Sequence, residues 1–231
     1  MAAFDLSIVL SGEFREWLLQ GFLLSIRLAL ITLVLAFPLS IVIALLRLSP
    51  YAAARAVGLT YVEAIRNVPL LVHMLFWYFG APQLLPEAAR EWLYEHNAES
   101  ACAVVALTLY TAAFMSEDVR SGIRSIPTAQ MEAGRALGLT FLGTMRQVIL
   151  PQATRITVPP LISQSLNLWK NTSIATVIGT MELMYQAQRV ESASFRGAET
   201  FAVTTLAYLT VSVIITAIGG IYRRRFPVAA T

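Results

Sequence analysis

LALITLVLAFPLSIVIALL, residues 28–46, runs its whole length without a charged side chain and is flanked by Arg27 and Arg47. As a helix it would be about 28 Å long, close to the roughly 30 Å hydrocarbon thickness of a bilayer. Pro38 falls inside it, and in a membrane bundle neighbouring groups re-satisfy the backbone atoms that a proline frees. The stretch reads as a transmembrane helix.

The remainder of the 231 residues carries the same signature. The chain is 57% hydrophobic and only 13% charged, with mean hydropathy +0.65, whereas an ordinary soluble domain is about one-quarter charged. Spans are expected at about 21–48, 60–85, 98–120, 156–180 and 201–221. They make one all-α transmembrane domain, 1–231, with five transmembrane helices. Prolines 69, 159 and 160 lie in or beside these spans without vetoing them.

Several function classes fall away. The single cysteine, Cys102, excludes a disulfide framework and a Cys-rich metal site. Two histidines, at 73 and 96, do not have zinc-ligand spacing, so no metal is expected. His73, on an apolar span, reads as a packed, hydrogen-bonded residue more readily than as a cavity ligand. No GxxxxGK[ST] loop is present to hold ATP in this chain. Neither a clustered nucleophile nor paired carboxylates suggest an enzyme. The arginines have no aromatic stacking platform beside them, which argues against nucleic acid.

Orientation follows from charge. With the N-terminus outside and the C-terminus inside, eleven arginines fall in inner segments and four in outer ones. Arginine and lysine are retained on the cytoplasmic side, so N-out, C-in is the expectation. Arg27 should snorkel to the outer interface. In the first twenty residues Asp5, Glu13 and Glu16 outnumber Arg15, which does not suit a secretory signal. That segment is expected as a short amphipathic piece at the outer surface, with Phe4, Ile8, Phe14 and Trp17 on its apolar side. A disordered lead-in is the alternative.

The inner segment 121–155 is too long for a simple connector. Residues 129–137 favour a helix that ends at Gly138, and Thr140 can cap a second helix over 141–149 that Pro151 closes. From the residues alone this is either a compact knob for a partner's groove or an amphipathic pair on the lipid surface.

The wording of this segment adds to that. Glu132-Ala133-Gly134, then Gly138 after three residues, then Val148-Ile149-Leu150-Pro151 after nine more, resembles the EAA loop of permease subunits of bacterial ABC importers. Gly134 stands where the family pattern has Ala, and Val148 where it has Ile. The segment 117–127, EDVRSGIRSIP, is similar to the run before that loop in polar-amino-acid permeases, with Ala129-Gln130 in place of Gly-Gln. YVEAIRNVPLL, 61–71, and FWYF, 76–79, resemble the glutamate/aspartate branch, and LNLWKNTS, 166–173, with Val177-Ile178-Gly179 resembles the family's fourth span. The resemblance implies a type I ABC importer permease fold in the bacterial cytoplasmic (inner) membrane, multi-pass. It implies that Glu132, Ala133, Gly134, Gly138, Val148, Leu150 and Pro151 couple the chain to a cytoplasmic ATPase dimer that carries the ATP and Mg. It further implies a second permease subunit, homodimeric or paralogous, and an extracytoplasmic substrate-binding protein.

The fourth span has its own message. Ser163, Asn167, Lys170 and Asn171 fall at i, i+4, i+7 and i+8, on one helix face, with Gln164 and Thr172 beside it. Polar groups avoid lipid, so the stripe should face the bundle interior or a water-filled cavity. A mid-membrane lysine costs about 2.5–3.5 kcal/mol on insertion scales, and something negative should lie near Lys170. Two readings stay open: a substrate carboxylate, or a structural partner such as a helix C-terminus or Glu117. The function expected is a pore-forming subunit of an ATP-driven amino-acid importer, for glutamate/aspartate or another polar amino acid. The alternative is a secondary transporter or channel working without an ATPase.

Overall fold

The computed structural model describes residues 4–227, and every regular element among them is helical. After a single turn, α1 (Leu6–Val9), a 37-residue helix α2 (Gly12–Leu48) runs unbroken through Pro38. It is followed by α3 (Ala52–Arg66), α4 (Leu70–Leu75), α5 (Glu87–Glu95), α6 (Ala98–Arg124), α7 (Thr128–Ala136), α8 (Phe141–Thr144), α9 (Leu150–Asn171), α10 (Leu183–Ser194) and α11 (Gly197–Arg225).

Three of these, α2, α6 and α11, are long and apolar enough to cross a membrane. Charge marks the slab along them. Arg27 and Arg47 stand twenty residues apart on α2, about 30 Å of helix, and Arg47 pairs with Glu117, nineteen residues beyond the start of α6 at Ala98. The first fifteen residues of α2 therefore project about 22 Å past the Arg27 level. There they meet α1, α10 and α11 in a core of Val9, Leu18, Leu183, Ala187 and Val190, with Phe14, Trp17 and Phe22 against it. The expected surface-lying segment is thus the start of the first long helix, its aromatic side turned onto protein. Ile8 is only partly buried and Phe4 is exposed.

The second expected span, 60–85, is not one helix. Proline disfavours helical geometry in the residue before it, and the chain breaks between Arg66 and Leu70 at Val68-Pro69. Past α4 the coil widens into a π turn (Phe76–Gly80) and tightens into a 3₁₀ turn (Ala81–Leu84). The fourth, 156–180, also departs from a plain helix. Its helix begins earlier, at Leu150, passes Pro159 and Pro160, and ends at Asn171 in a 3₁₀ segment (Thr172–Ile178) that Gly179 stops at φ +84°.

Small residues on the inward face of α2, Gly21, Ser25, Thr32, Ala36, Ser40 and Ala44, bring it close to its neighbours. α6 answers with Ala103, Ala106, Ala112, Ala113 and Ser116. One carboxyl group among the described residues is fully enclosed. Glu182, at the N-terminus of α10, accepts hydrogen bonds from the Met184 and Tyr185 amides, both at 2.9 Å, from Ser25 Oγ at 3.1 Å and from Tyr208 Oη at 3.0 Å. It joins α2, α10 and α11. A Cβ at Gly21 would lie 2.8 Å from Gln186 Cγ, so that glycine lets α10 approach. Glu182→Ala leaves several buried donors unpaired, each costing about 1–3 kcal/mol. Thermal unfolding of the detergent-solubilised protein should show a loss of many degrees, with Glu182→Gln falling between it and the wild type.

Candidate functional site

The polar stripe of α9 meets α6 in a cavity of about 330 Å³, lined by Tyr110, Thr111, Phe114, Gln164, Asn167, Leu168, Lys170 and Asn171. Lys170 is the one charged residue in that lining. Two candidates lie apart from it. Ser163 is exposed and donates to the Pro159 carbonyl at 3.3 Å. Thr172 is fully buried, its hydroxyl donating to the Trp169 carbonyl at 2.8 Å, because the 3₁₀ turn starts there and carries it inward.

Glu117 is not the partner of Lys170. It bonds Arg47 and accepts from Arg120 at 2.8 and 3.1 Å, so its charge is spent at the end of α6. No ion pair involves Lys170 among the described residues. What does lie beside it is the end of its own helix, whose negative dipole end favours a cation in the last turn. The α6 wall was hidden in the sequence because residues 101–116 carry no charge. Tyr110, Thr111 and Phe114, spaced i, i+1 and i+4, are the polar–aromatic trace that could have revealed it.

The cavity floor is polar too. Gln164 Nε2 donates to Asp118 Oδ2 at 3.0 Å, and Asn167 Nδ2 donates to Gln164 Oε1 at 3.4 Å. The Arg66 guanidinium sits 4.9 Å over the Phe114 ring. His73 Nε2 donates to the Ile65 carbonyl at 3.0 Å and its ring meets the edge of Tyr110, bracing that wall from behind.

In the segment that precedes α9, α7 ends at Ala136 with Leu137 as its C-cap, and Gly138 takes φ +84°. The Gly138 amide bonds the Arg135 carbonyl and the Leu139 amide that of Gly134, a Schellman closure. Thr140 Oγ1 caps α8 by accepting from the Gly143 amide at 3.1 Å. Pro151 does not close the second helix. A π turn (Met145–Ile149) leads straight into α9, and the wider turn before the proline absorbs its missing N–H and its ring. Residues 141–171 are thus one continuous helical rod from the loop to the cavity. Glu132, Ala133, Gly138, Leu150 and Pro151 are exposed, Val148 is partly buried and Gly134 is buried. Leu137, Phe141 and Leu142 stand out as an apolar tip.

Residues 18–227 match the family described as binding-protein-dependent transport system inner membrane component. The chain belongs to this family. As an inner-membrane transport component it is 36% identical over 203 residues to the glutamate/aspartate import permease protein GltJ of Escherichia coli K12, covering 86% of this chain and 82% of GltJ. It is 38% identical over 195 residues to the probable glutamine ABC transporter permease protein GlnM of Bacillus subtilis, covering 84% and 86%. Among solved structures, an amino acid ABC transporter crystallised with histidines superposes with a TM-score of 0.84 at 27% identity, over 97% of this chain and all of that one. The MetNI methionine ABC transporter, at 20% identity and TM-score 0.69 over 93% and 99%, shares the fold.

The departure from the EAA pattern at Gly134 has a local cause in this transport component. A Cβ there would come within 2.5 Å of Thr144 Cγ2, where α7 crosses α8. Gly134→Ala should pry the two short helices apart and raise the rate of limited proteolysis in residues 125–149 severalfold. Adding Thr144→Ala should restore the wild-type rate.

Proposed function

We propose that the chain is the pore-forming subunit of an ATP-driven importer of polar amino acids, with acidic ones, glutamate or aspartate, as the substrate class. The observation that carries this is the Lys170 ammonium, the sole charge lining a cavity otherwise built of amide, hydroxyl and aromatic groups and Leu168. A substrate carboxylate would neutralise it. Family membership and the glutamate/aspartate permease relative support the same substrate class.

On this reading the chain crosses five times, N-out and C-in, with α3–α4 and α9 plus their tightened turns supplying the two crossings beyond the long helices. The segment 121–155 docks on a cytoplasmic ATPase dimer, which holds ATP and Mg. Glu132, Ala133, Gly134, Gly138, Val148, Leu150 and Pro151 shape the knob, and Leu137, Phe141 and Leu142 supply its apolar contact. A second permease subunit, a copy or a paralogue, completes the pore within the lipid, and an extracytoplasmic binding protein delivers substrate. Closure of the ATPase dimer moves the knob, and the rod that begins at Phe141 carries that movement to Asn167 and Lys170. Access to the cavity then alternates between two conformations of unequal affinity for the partners. A carrier without an ATPase has no use for such a knob.

Docking is tested on the reconstituted complex. Nothing lies within 4 Å of a Cβ at Gly138, so Gly138→Val acts only through its positive φ, costing about 1–2 kcal/mol. It should insert normally yet lose most substrate-stimulated ATPase activity, as should Glu132→Lys by charge reversal. Wild-type stimulation in both would refute the docking role.

The cavity is tested by Lys170→Met. With no carboxylate paired to Lys170 among the described residues, thermal stability should hold within a few degrees while uptake falls at least tenfold. A large loss of stability would assign Lys170 a structural role instead.

A further inference from the structure

Asp118 is absent from the cavity lining, yet it decides what that lining presents. Its Oδ2 accepts from Gln164 Nε2 at 3.0 Å. The accepting oxygen fixes which end of the Gln164 amide faces it. The NH₂ turns to Asp118 and the carbonyl oxygen turns away. That oxygen accepts from Asn167 Nδ2 at 3.4 Å. Asn167 has thereby turned its NH₂ towards Gln164 through one of its two N–H groups, and no bond to its Oδ1 is found among the described residues.

A chain of two bonds thus sets the polarity of the wall. The acceptor oxygen whose direction this chain of bonds fixes, at Asn167, stands three residues before Lys170 on the same helix face. Positions i and i+3 place their Cβ atoms about 5–6 Å apart. An acceptor beside a cation matches a ligand that carries an ammonium beside a carboxylate, the head of an α-amino acid. A plain carboxylate would engage Lys170 and leave Asn167 Oδ1 unmet.

We propose that Asp118 is a positioning residue for zwitterion recognition: through Gln164 it orients the Asn167 amide so that the cavity selects an ammonium next to a carboxylate. This rests on the reading of the cavity as the substrate site. Asp118 need not touch the ligand; it acts by removing the freedom of two amides to flip.

The test uses the purified permease–ATPase complex without binding protein, and compares dissociation constants for L-glutamate and for glutarate, which lacks only the ammonium. The wild type should prefer glutamate by about tenfold or more, the affinity ratio of one charge-assisted hydrogen bond. Asp118→Asn keeps the shape but can donate as well as accept, so both amides can reverse. The ratio should fall towards one through weaker glutamate binding, with glutarate unchanged. Asp118→Asn/Gln164→Glu moves the acceptor-only group one link along, compels Asn167 to donate again, and should restore the preference. A merely structural role would lower both affinities and thermal stability together, with no rescue. Gln164→Leu, which cuts the chain at its second link, should collapse the ratio as well, and serves if Asp118→Asn does not fold.

An unchanged ratio in Asp118→Asn or in Gln164→Leu, or a collapse that the double variant leaves unrepaired, overturns the proposal. Lys170→Met separates this from the underlying reading. If it weakens both ligands while the Asp118 ratio stands, only the positioning role fails. If it alters neither, the cavity is not the substrate site and the positioning role falls with it.

Discussion

Glu182 carries a carboxylate into a place where an unsolvated charge is costly, and the surrounding structure is arranged around meeting its demands. Four donors from three helices converge on its two oxygens. Two are the first free amides of α10, so the same group caps that helix and anchors it. Ser25 comes from the projecting part of α2, and Tyr208 from α11. Tyr208 in turn receives the Trp169 indole at its carbonyl, at 3.1 Å, and the two rings pack at 5.2 Å. The residue before Lys170 is thus tied to the joint, and the end of α9 that faces the cavity is held from its far side.

The opposite end of the bundle uses charge differently. Arg47, Glu117 and Arg120 satisfy one another where α2 and α6 reach the edge of the apolar slab. Only six residues separate Gln164, bonded to Asp118 at that level, from Lys170, about 9 Å of helix towards the interior. The amide-bearing stripe of α9 is turned onto α6 across this depth. Polar side chains are tolerated where they line a cavity or meet protein, and not where they meet acyl chains. α11, at the other extreme, shows Leu206, Leu209, Val213, Ile214 and Ile218 to the outside.

Much of this was legible in the residues because the relevant signals are local. Gly138 and Thr140 announce a helix stop and start through backbone geometry and a short side-chain bond, and both operate within four residues. The charge-free run 28–46 and the stripe from Ser163 to Asn171 announce themselves by length and periodicity. What escaped depends on groups far apart in sequence. The side of α6 that would meet α9 cannot be read from α6 alone, so Tyr110, Thr111 and Phe114 stayed hidden. The inward swing of Thr172 follows from a change of helix type with no local sequence marker. Pro151 misled because its helix-breaking habit was judged without the wider turn before it. Glu182 gave no warning either, since its donors at 25 and 208 are separated from it by 157 and 26 positions.

The uninterrupted course from Phe141 to Asn171 makes the rod a lever. From its tip in the loop to Lys170 it measures about 44 Å, so a tilt of only 5° carries the far end through about 4 Å, more than the length of a hydrogen bond. An arm of that length needs no flexible relay: a small angular change at the loop end becomes a displacement at the ammonium longer than a hydrogen bond. It also ties the two ends to one another geometrically. A replacement that reorients residues 141–149 turns Asn167 and Lys170 with them, since all lie on one rod.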